Sequence, residues 1–212
     1  MKKRILCYGD SNTWGYDPAG GRYDEQTRWP MRMAALLGDD YAVIEEGFNG
    51  RTCVNDDPAE GGYKSGVQYL PPCLMSHDPL DVVIVMLGTN DTKRRFGLVP
   101  ETVGQGMTQV VRTVKIYGED AAGNTPRIIV TAPPPILDGL MQARHAHIFG
   151  EQAIATSRGL ASVYRDVAAT LGCDFFDAAP YAEVSALDSV HMTANGHIRL
   201  AEAMAGKIRS IL

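Results

Sequence analysis

DVVIVML, residues 81–87, is the stretch on which the fold turns, and it runs straight into Gly88-Thr89-Asn90-Asp91. Six consecutive apolar residues leave no polar face. A strand with one solvated face alternates apolar and polar residues. A near-continuous apolar run marks a strand covered on both faces, the situation of parallel sheets. Residues 81–87 therefore read as a central parallel strand. Residues 4–8, 42–46 and 127–131 read as further strands, and 173–176 as a shorter fifth. Helical patterns lie between them. Residues 29–37 are stopped by Gly38, 100–117 begin at Pro100, and 148–171 run as one long helix to Gly172. In 67–76 the pair Pro71-Pro72 fits only a helix start or a kink. The last helix, 193–212, has Thr193 as N-cap candidate and apolar residues at Ile198, Leu200, Ala201, Met204 and Ile208. Strands alternating with helices predict an α/β fold, a five-stranded parallel sheet with helices on both faces. At 212 residues the chain is expected to form one domain, 1–212.

Composition narrows the function. A hydrophobic share of 45%, a charged share of 21% and a net charge of -5 are those of an ordinary globular enzyme or binding protein. Nucleic acid is not an expected partner, because displacing its counterions needs clustered Lys and Arg. Lys2-Lys3-Arg4 precede only four apolar residues before Gly9-Asp10, too few for an export segment, and no apolar run approaches the ~20 residues of a membrane span. Cys7, Cys53, Cys73 and Cys173 are scattered without CxxC spacing, which suits free thiols in a reducing compartment. The expected location is the cytoplasm, with no membrane partner.

In an open parallel sheet, ligands sit outside the carboxyl ends of the strands. The residues of chemical interest fall there. The first strand is followed by Gly9-Asp10-Ser11, the second by Gly47-Phe48-Asn49-Gly50-Arg51, the third by Gly88-Thr89-Asn90-Asp91, and the fifth, after a longer loop, by Asp188-Ser189-Val190-His191. Nucleophilic acyl transfer needs a hydroxyl, a base, an orienter for that base and donors for an oxyanion. Ser11 is a candidate hydroxyl, and equally a turn or cap residue. Asp188, three residues before His191, can fold back to fix its tautomer, though such a pair also occurs on surfaces. The N–H groups of Ser11 and Gly50 and the amide of Asn90 are candidate oxyanion donors. His145 and His147 could line a cleft or be exposed; His77 and His197 read as solvated or packed.

Those four blocks, together with ILCYGDSNTWGY, VIEEGFNGRT, LDVVIVMLGTNDTK, the APPP stretch and HMTANGH, resemble the SGNH, or GDSL-type, esterase and lipase family, in particular its aryl-esterase and acyltransferase branch. The resemblance spans nearly the whole chain. It implies a flavodoxin-like three-layer α/β/α sandwich without metal or organic cofactor. It implies Ser11 as nucleophile, His191 as base, Asp188 as orienter, and Ser11 N–H, Gly50 N–H and Asn90 as oxyanion hole. The implied reaction is hydrolysis of short-chain aryl or acetyl esters through an acyl-enzyme, with acyl transfer to alcohols as a variant. A carbohydrate O-acetyl esterase of the same mechanism is the alternative, and a homo-oligomer is implied. Asn12 stands where the family name has leucine, which bears on substrate preference. Asn12, Trp14, Ile148, Phe149 and Val190 are the candidate pocket residues. Arg28 and Arg51 could bind an acidic group, and the loops 16–27 and 55–64 and the 132–135 turn could border the cleft.

Two rival readings remain at this point. A flavodoxin-like binding module would leave Asp188 and His191 without a role, and the first loop lacks both GxxxxGK[ST] and GxGxxG. A metallophosphoesterase could draw on Asp10, Asp56, Asp57, Asn90 and Asp91, but no His pair shows ligand spacing.

Overall fold

The structure, a computed structural model, describes residues 2–212. Five strands, β1 (Lys3–Gly9), β2 (Tyr41–Gly47), β3 (Val82–Met86), β4 (Arg127–Ala132) and β5 (Asp174–Asp177), form one sheet in the order β2-β1-β3-β4-β5, every pairing parallel. All five residues of β3 are buried, as its unbroken apolar sequence requires. Side chains alternate across the sheet. Ile5 and Cys7 of β1 face one layer, built from α2 (Trp29–Leu37) and α7 (Ala194–Ile211). Leu6 and Tyr8 face the other, built from α3 (Gly66–His77), α4 (Pro100–Tyr117) and α6 (Gln152–Leu171). The result is the expected α/β/α arrangement. Thr193 caps α7, its hydroxyl accepting from Gly196 N at 3.0 Å.

One helix reading is borne out and one corrected. The expected 67–76 helix forms as α3, with Pro71 and Pro72 inside it. Lacking N–H groups, the two prolines leave the Val67 and Gln68 carbonyls without helical partners, while Leu70, Cys73 and Leu74 bury the inner face. The segment 148–171 is not one helix. Gly150 takes φ 72°, a left-handed conformation open to glycine, and separates α5 (Ala146–Phe149) from α6. That break turns Ile148 and Phe149 away from the axis of α6.

The chain leaves β1 for β2 on one side and later returns to β3 on the other. The topological switch therefore lies between the carboxyl ends of β1 and β3, the crevice where doubly wound sheets bind ligands. Ser11 follows β1 and Asn90 follows β3. No helix among the described residues is long and apolar enough to cross a membrane.

Candidate active site

Asp10 ends β1 and caps the short helix α1 (Ser11–Trp14), its Oδ1 accepting from Asn12 N at 2.9 Å. Ser11 is thereby the first residue of that helix, so its own N–H has no intrahelical acceptor. Its Oγ lies 2.9 Å from His191 Nε2, and His191 Nδ1 lies 2.7 Å from Asp188 Oδ2. Asp188 is fully buried; its Oδ1 also accepts from the N–H groups of Val190 and His191, each at 3.0 Å. Ser189 supplies the fold-back, with φ 66° in the left-handed region that costs a non-glycine residue of order 1–3 kcal/mol. Burial alone would raise the Asp188 pKa. The hydrogen bonds and charge of His191 outweigh it and bring the carboxyl down to about 2. The carboxylate is thus charged wherever the enzyme is folded at ordinary pH, and fixes Nε2 as the ring nitrogen facing Ser11.

Asn12 secures the distance between the two turns. Its Oδ1 accepts from Met192 N at 3.0 Å and its Nδ2 donates to Val190 O at 3.4 Å. Further buried carboxyls stiffen the neighbouring loops. Asp91 accepts from Cys53 N with both oxygens, at 3.1 and 3.0 Å, tying the turn after β3 to the loop after β2. Burial raises Asp91 to about 7 and Asp10 to about 6.

Two backbone donors face the same space. The N–H groups of Ser11 and Gly50 make no hydrogen bond among the described residues. Gly50 turns its N–H there through φ 83°. Asn90 Nδ2 donates to Arg51 O at 3.1 Å and points its second N–H loosely at Asp10 Oδ2, 3.5 Å away. These groups open on a cavity of about 270 Å³ lined by Ser11, Asn49, Gly50, Asn90, His191, Ile148 and Phe149, with Tyr16, Glu60, Lys93 and His145 completing the wall.

Of the candidate pocket residues, Ile148 and Phe149 reach this cavity. Asn12, Trp14 and Val190 do not. Asn12 is buried and spends its amide on the 190–192 backbone, Val190 packs with Ile136, Leu140 and Phe149, and Trp14 stands beside Arg22, whose guanidinium lies 4.8 Å from its ring. Arg28 is paired with Glu45 at 2.9 Å, and Arg51 donates to Gly9 O at 2.8 Å, so neither faces the cavity.

Beside Tyr16 and Glu60, from the 16–27 and 55–64 segments expected to border the cleft, stand two residues that were not expected, Lys93 and Arg144. The Tyr16 ring lies against the His191 imidazole, centroids 4.3 Å apart, and its hydroxyl accepts from Arg144 Nη2 at 3.2 Å. Arg144 also approaches Asp188 Oδ2 at 3.6 Å, as does His145 Nε2 at 3.8 Å. Burial first, then the neighbouring His191, lower the His145 pKa. Lys93, fully buried, bonds Asp57 at 3.1 Å and Glu60 at 2.7 Å, and Arg95 reaches the same two carboxylates. This network fixes the 57–60 turn beside Gly50. No periodicity singles out these side chains: Tyr16 and Lys93 end two of the family-like blocks, Glu60 ends a short 3-10 turn, and Arg144 lies in a loop. His145, Asp188 and His191 offer ligand atoms within 4.8 Å of one another and could in principle hold a metal, as could Glu46, Cys73 and His77 on the far side of the 47–51 loop.

A sequence profile described as GDSL-like Lipase/Acylhydrolase family matches residues 7–199. A carbohydrate acetylesterase from Sinorhizobium meliloti is 37% identical, with a TM-score of 0.92 over 100% of each chain. An aryl esterase of M. smegmatis is 37% identical, with a TM-score of 0.91 over 99% of this chain and 100% of the other. An acetylxylan esterase of Xylanibacter ruminicola is 28% identical over 116 residues, 53% of this chain and 22% of that much longer protein.

Proposed function

The chain belongs to the GDSL-like lipase/acylhydrolase family, and we propose that it is a serine esterase cleaving short-chain carboxylic esters through an acyl-enzyme on Ser11. The observation that carries the reading is the hydrogen-bonded chain Ser11–His191–Asp188, at 2.9 and 2.7 Å, beside two backbone N–H groups without partners.

The ester carbonyl oxygen lies toward Ser11 N–H, Gly50 N–H and the Asn90 amide. His191 Nε2 takes the Ser11 proton as Oγ attacks the carbonyl carbon. Negative charge passes to the carbonyl oxygen and is met by the three donors. The imidazolium, held by Asp188, returns its proton to the departing alkoxide and leaves the acyl group on Ser11. Water then repeats the sequence, losing a proton to His191 and releasing the acid. An alcohol in place of water gives acyl transfer by the same steps. A cavity of about 270 Å³ closed by Ile148 and Phe149 suits an acetyl or similarly short acyl group.

A polar alcohol, such as an O-acetylated sugar, is favoured as a second reading by the Asn49, Glu60 and Lys93 side of the cavity, an acceptor-and-donor wall that an aryl leaving group would not use. The chain is proposed to act as one domain and as a homo-oligomer in the cytoplasm. Exposed Phe48, Tyr63 and Tyr69 support assembly, and four free thiols support a reducing location.

A fluorophosphonate probe tests the reading. Labelling is expected at Ser11, and Ser11→Ala is expected to lose both labelling and aryl acetate hydrolysis with its melting temperature kept. Labelling at another residue, or turnover in Ser11→Ala, overturns it.

A further inference from the structure

We propose that Glu46, Cys73 and His77 form a binding site for a single zinc ion, separate from the ester-cleaving centre. Glu46 is the penultimate residue of β2. Cys73 and His77 stand four residues apart in the last turns of α3, so they share one helix face and converge on the strand end. Glu46 Oε1 lies 3.2 Å from His77 Nε2, and the ligand atoms of all three lie within 4.8 Å of one another. In a tetrahedral zinc site, with bonds of about 2.0–2.3 Å, neighbouring ligand atoms stand roughly 3.3–3.6 Å apart. The Glu46–His77 edge already has that length. A side-chain adjustment of about 1 Å brings in the sulfur.

Cys73 packs in the core beside Leu70 and Leu74, with its sulfur within 4.8 Å of the Glu46 and His77 ligand atoms. Thiolate, imidazole and carboxylate are zinc's protein ligands, and this mixed set suits zinc rather than magnesium or calcium. Cys73 is buried, while Glu46 and His77 keep 21% and 29% of their side chains exposed. An ion can therefore enter from solvent past them. Glu46 also borders a groove of about 440 Å³ shared with Arg51 and Tyr69, which leaves room for water as fourth ligand.

When the zinc–sulfur bond forms, the thiol proton passes to solvent, and thiolate and carboxylate balance the ion's charge. Arg51 Nη1 donates to Gly9 O at 2.8 Å and to the Glu46 carbonyl at 2.5 Å, and its guanidinium carbon lies 4.1 Å from the Tyr8 ring, so its bonds go to backbone carbonyls rather than to the Glu46 carboxylate.

Cobalt(II) is the probe. The full chain, stripped with chelator and desalted, is titrated with cobalt and the near-ultraviolet sulfur-to-metal band is followed. One equivalent is expected to bind, and zinc to bleach the band. Cys73→Ala is expected to lose it. His77→Ala and Glu46→Gln, both at partly exposed positions, are expected to weaken binding by at least the roughly 10–100-fold typical of losing a mere supporting partner. His191→Ala is expected to bind as the parent does. Metal-free circular dichroism melts check that each variant is folded. A parent protein without the band, a band that persists in Cys73→Ala, unchanged affinity in the folded His77 and Glu46 variants, or loss of the band in His191→Ala overturns the proposal.

Discussion

Gly50→Ala is the sharpest perturbation of the proposed oxyanion hole, because it adds one methyl group and removes no functional group. Gly50 holds φ 83°, and a Cβ built there would stand 2.9 Å from Glu60 Oε2 and 3.2 Å from Lys64 Cε. Both neighbours are ends of long side chains, but Glu60 is anchored by Lys93 at 2.7 Å and Arg95 at 3.3 Å and yields with difficulty. An alanine keeping this backbone pays roughly 1–3 kcal/mol for the left-handed conformation. That corresponds to a melting temperature lower by about 2–10 °C at this chain length. An alanine that relaxes toward negative φ swings the 50 N–H out of the cavity, and losing one oxyanion donor costs about 2.7–4 kcal/mol of barrier. The expected result is kcat lower by about 10²–10³ with KM little changed, since the donor acts on charge that develops after binding. Steady-state kinetics on an aryl acetate, with a thermal melt, measure both. The double variant Gly50→Ala/Glu60→Ala separates the two causes: it relieves the crowding and leaves the φ constraint. Activity within a few-fold of the parent in Gly50→Ala together with an unchanged melting temperature would refute the assignment of Gly50 N–H as a donor, whereas recovery in the double variant would assign the loss to crowding by Glu60.

Asp188→Asn is expected to lower kcat by about 10³–10⁴-fold with the fold intact, because an amide opposite His191 Nδ1 favours the wrong tautomer; a loss under tenfold in a stopped assay would remove Asp188 from the reaction. Asn90→Ala should lower kcat much more than it raises KM, and equal kcat in the variant would make Asn90 structural. Lys93→Met leaves Asp57 buried with Arg95 as its remaining cation and should destabilise the chain by about 3 kcal/mol in urea melts; an unchanged midpoint counts against the network. The pH dependence of stability carries opposed slopes. His197, with burial holding its pKa at about 3, contributes stability that is full above the ordinary value of 6.5 and is lost as pH falls toward 3. Asp91, raised to about 7, contributes stability that is full below its ordinary value of 3.8 and is lost as pH rises through 7. Between pH 6 and 4 the two offset each other in urea melts. His197→Gln should flatten the acid loss by up to about 1.4 kcal/mol per pH unit, and Asp91→Asn should steepen it; unchanged slopes in both variants would refute the two shifts.

The sheet and the convergence of Ser11, Gly50, Asn90 and His191 on one cavity, with Asp188 buried against His191, were legible because both follow from the backbone. A parallel strand covered on two faces has to be apolar throughout, as β3 is, and the carboxyl ends of parallel strands all open on one edge. The 67–76 helix formed as α3 with Pro71 and Pro72 inside it, its core face carrying Leu70, Cys73 and Leu74. One helix reading failed where tertiary context overrides local preference. Gly150 resembles any tolerated helical glycine until its φ of 72° is known. The pocket was the least legible part, since chain adjacency says nothing of side-chain direction. Asn12 is next to Ser11, yet its amide turns away from the cavity to grip Met192 N and Val190 O, some 180 residues on. A residue expected to meet substrate instead joins the turn carrying the hydroxyl to the turn carrying the imidazole. Neither turn reaches the other through the backbone, so the 2.9 Å between Ser11 Oγ and His191 Nε2 depends on this amide. The position where this chain departs from the family's leucine thus bears on the reacting pair, while Ile148 and Phe149 line the cavity beside it.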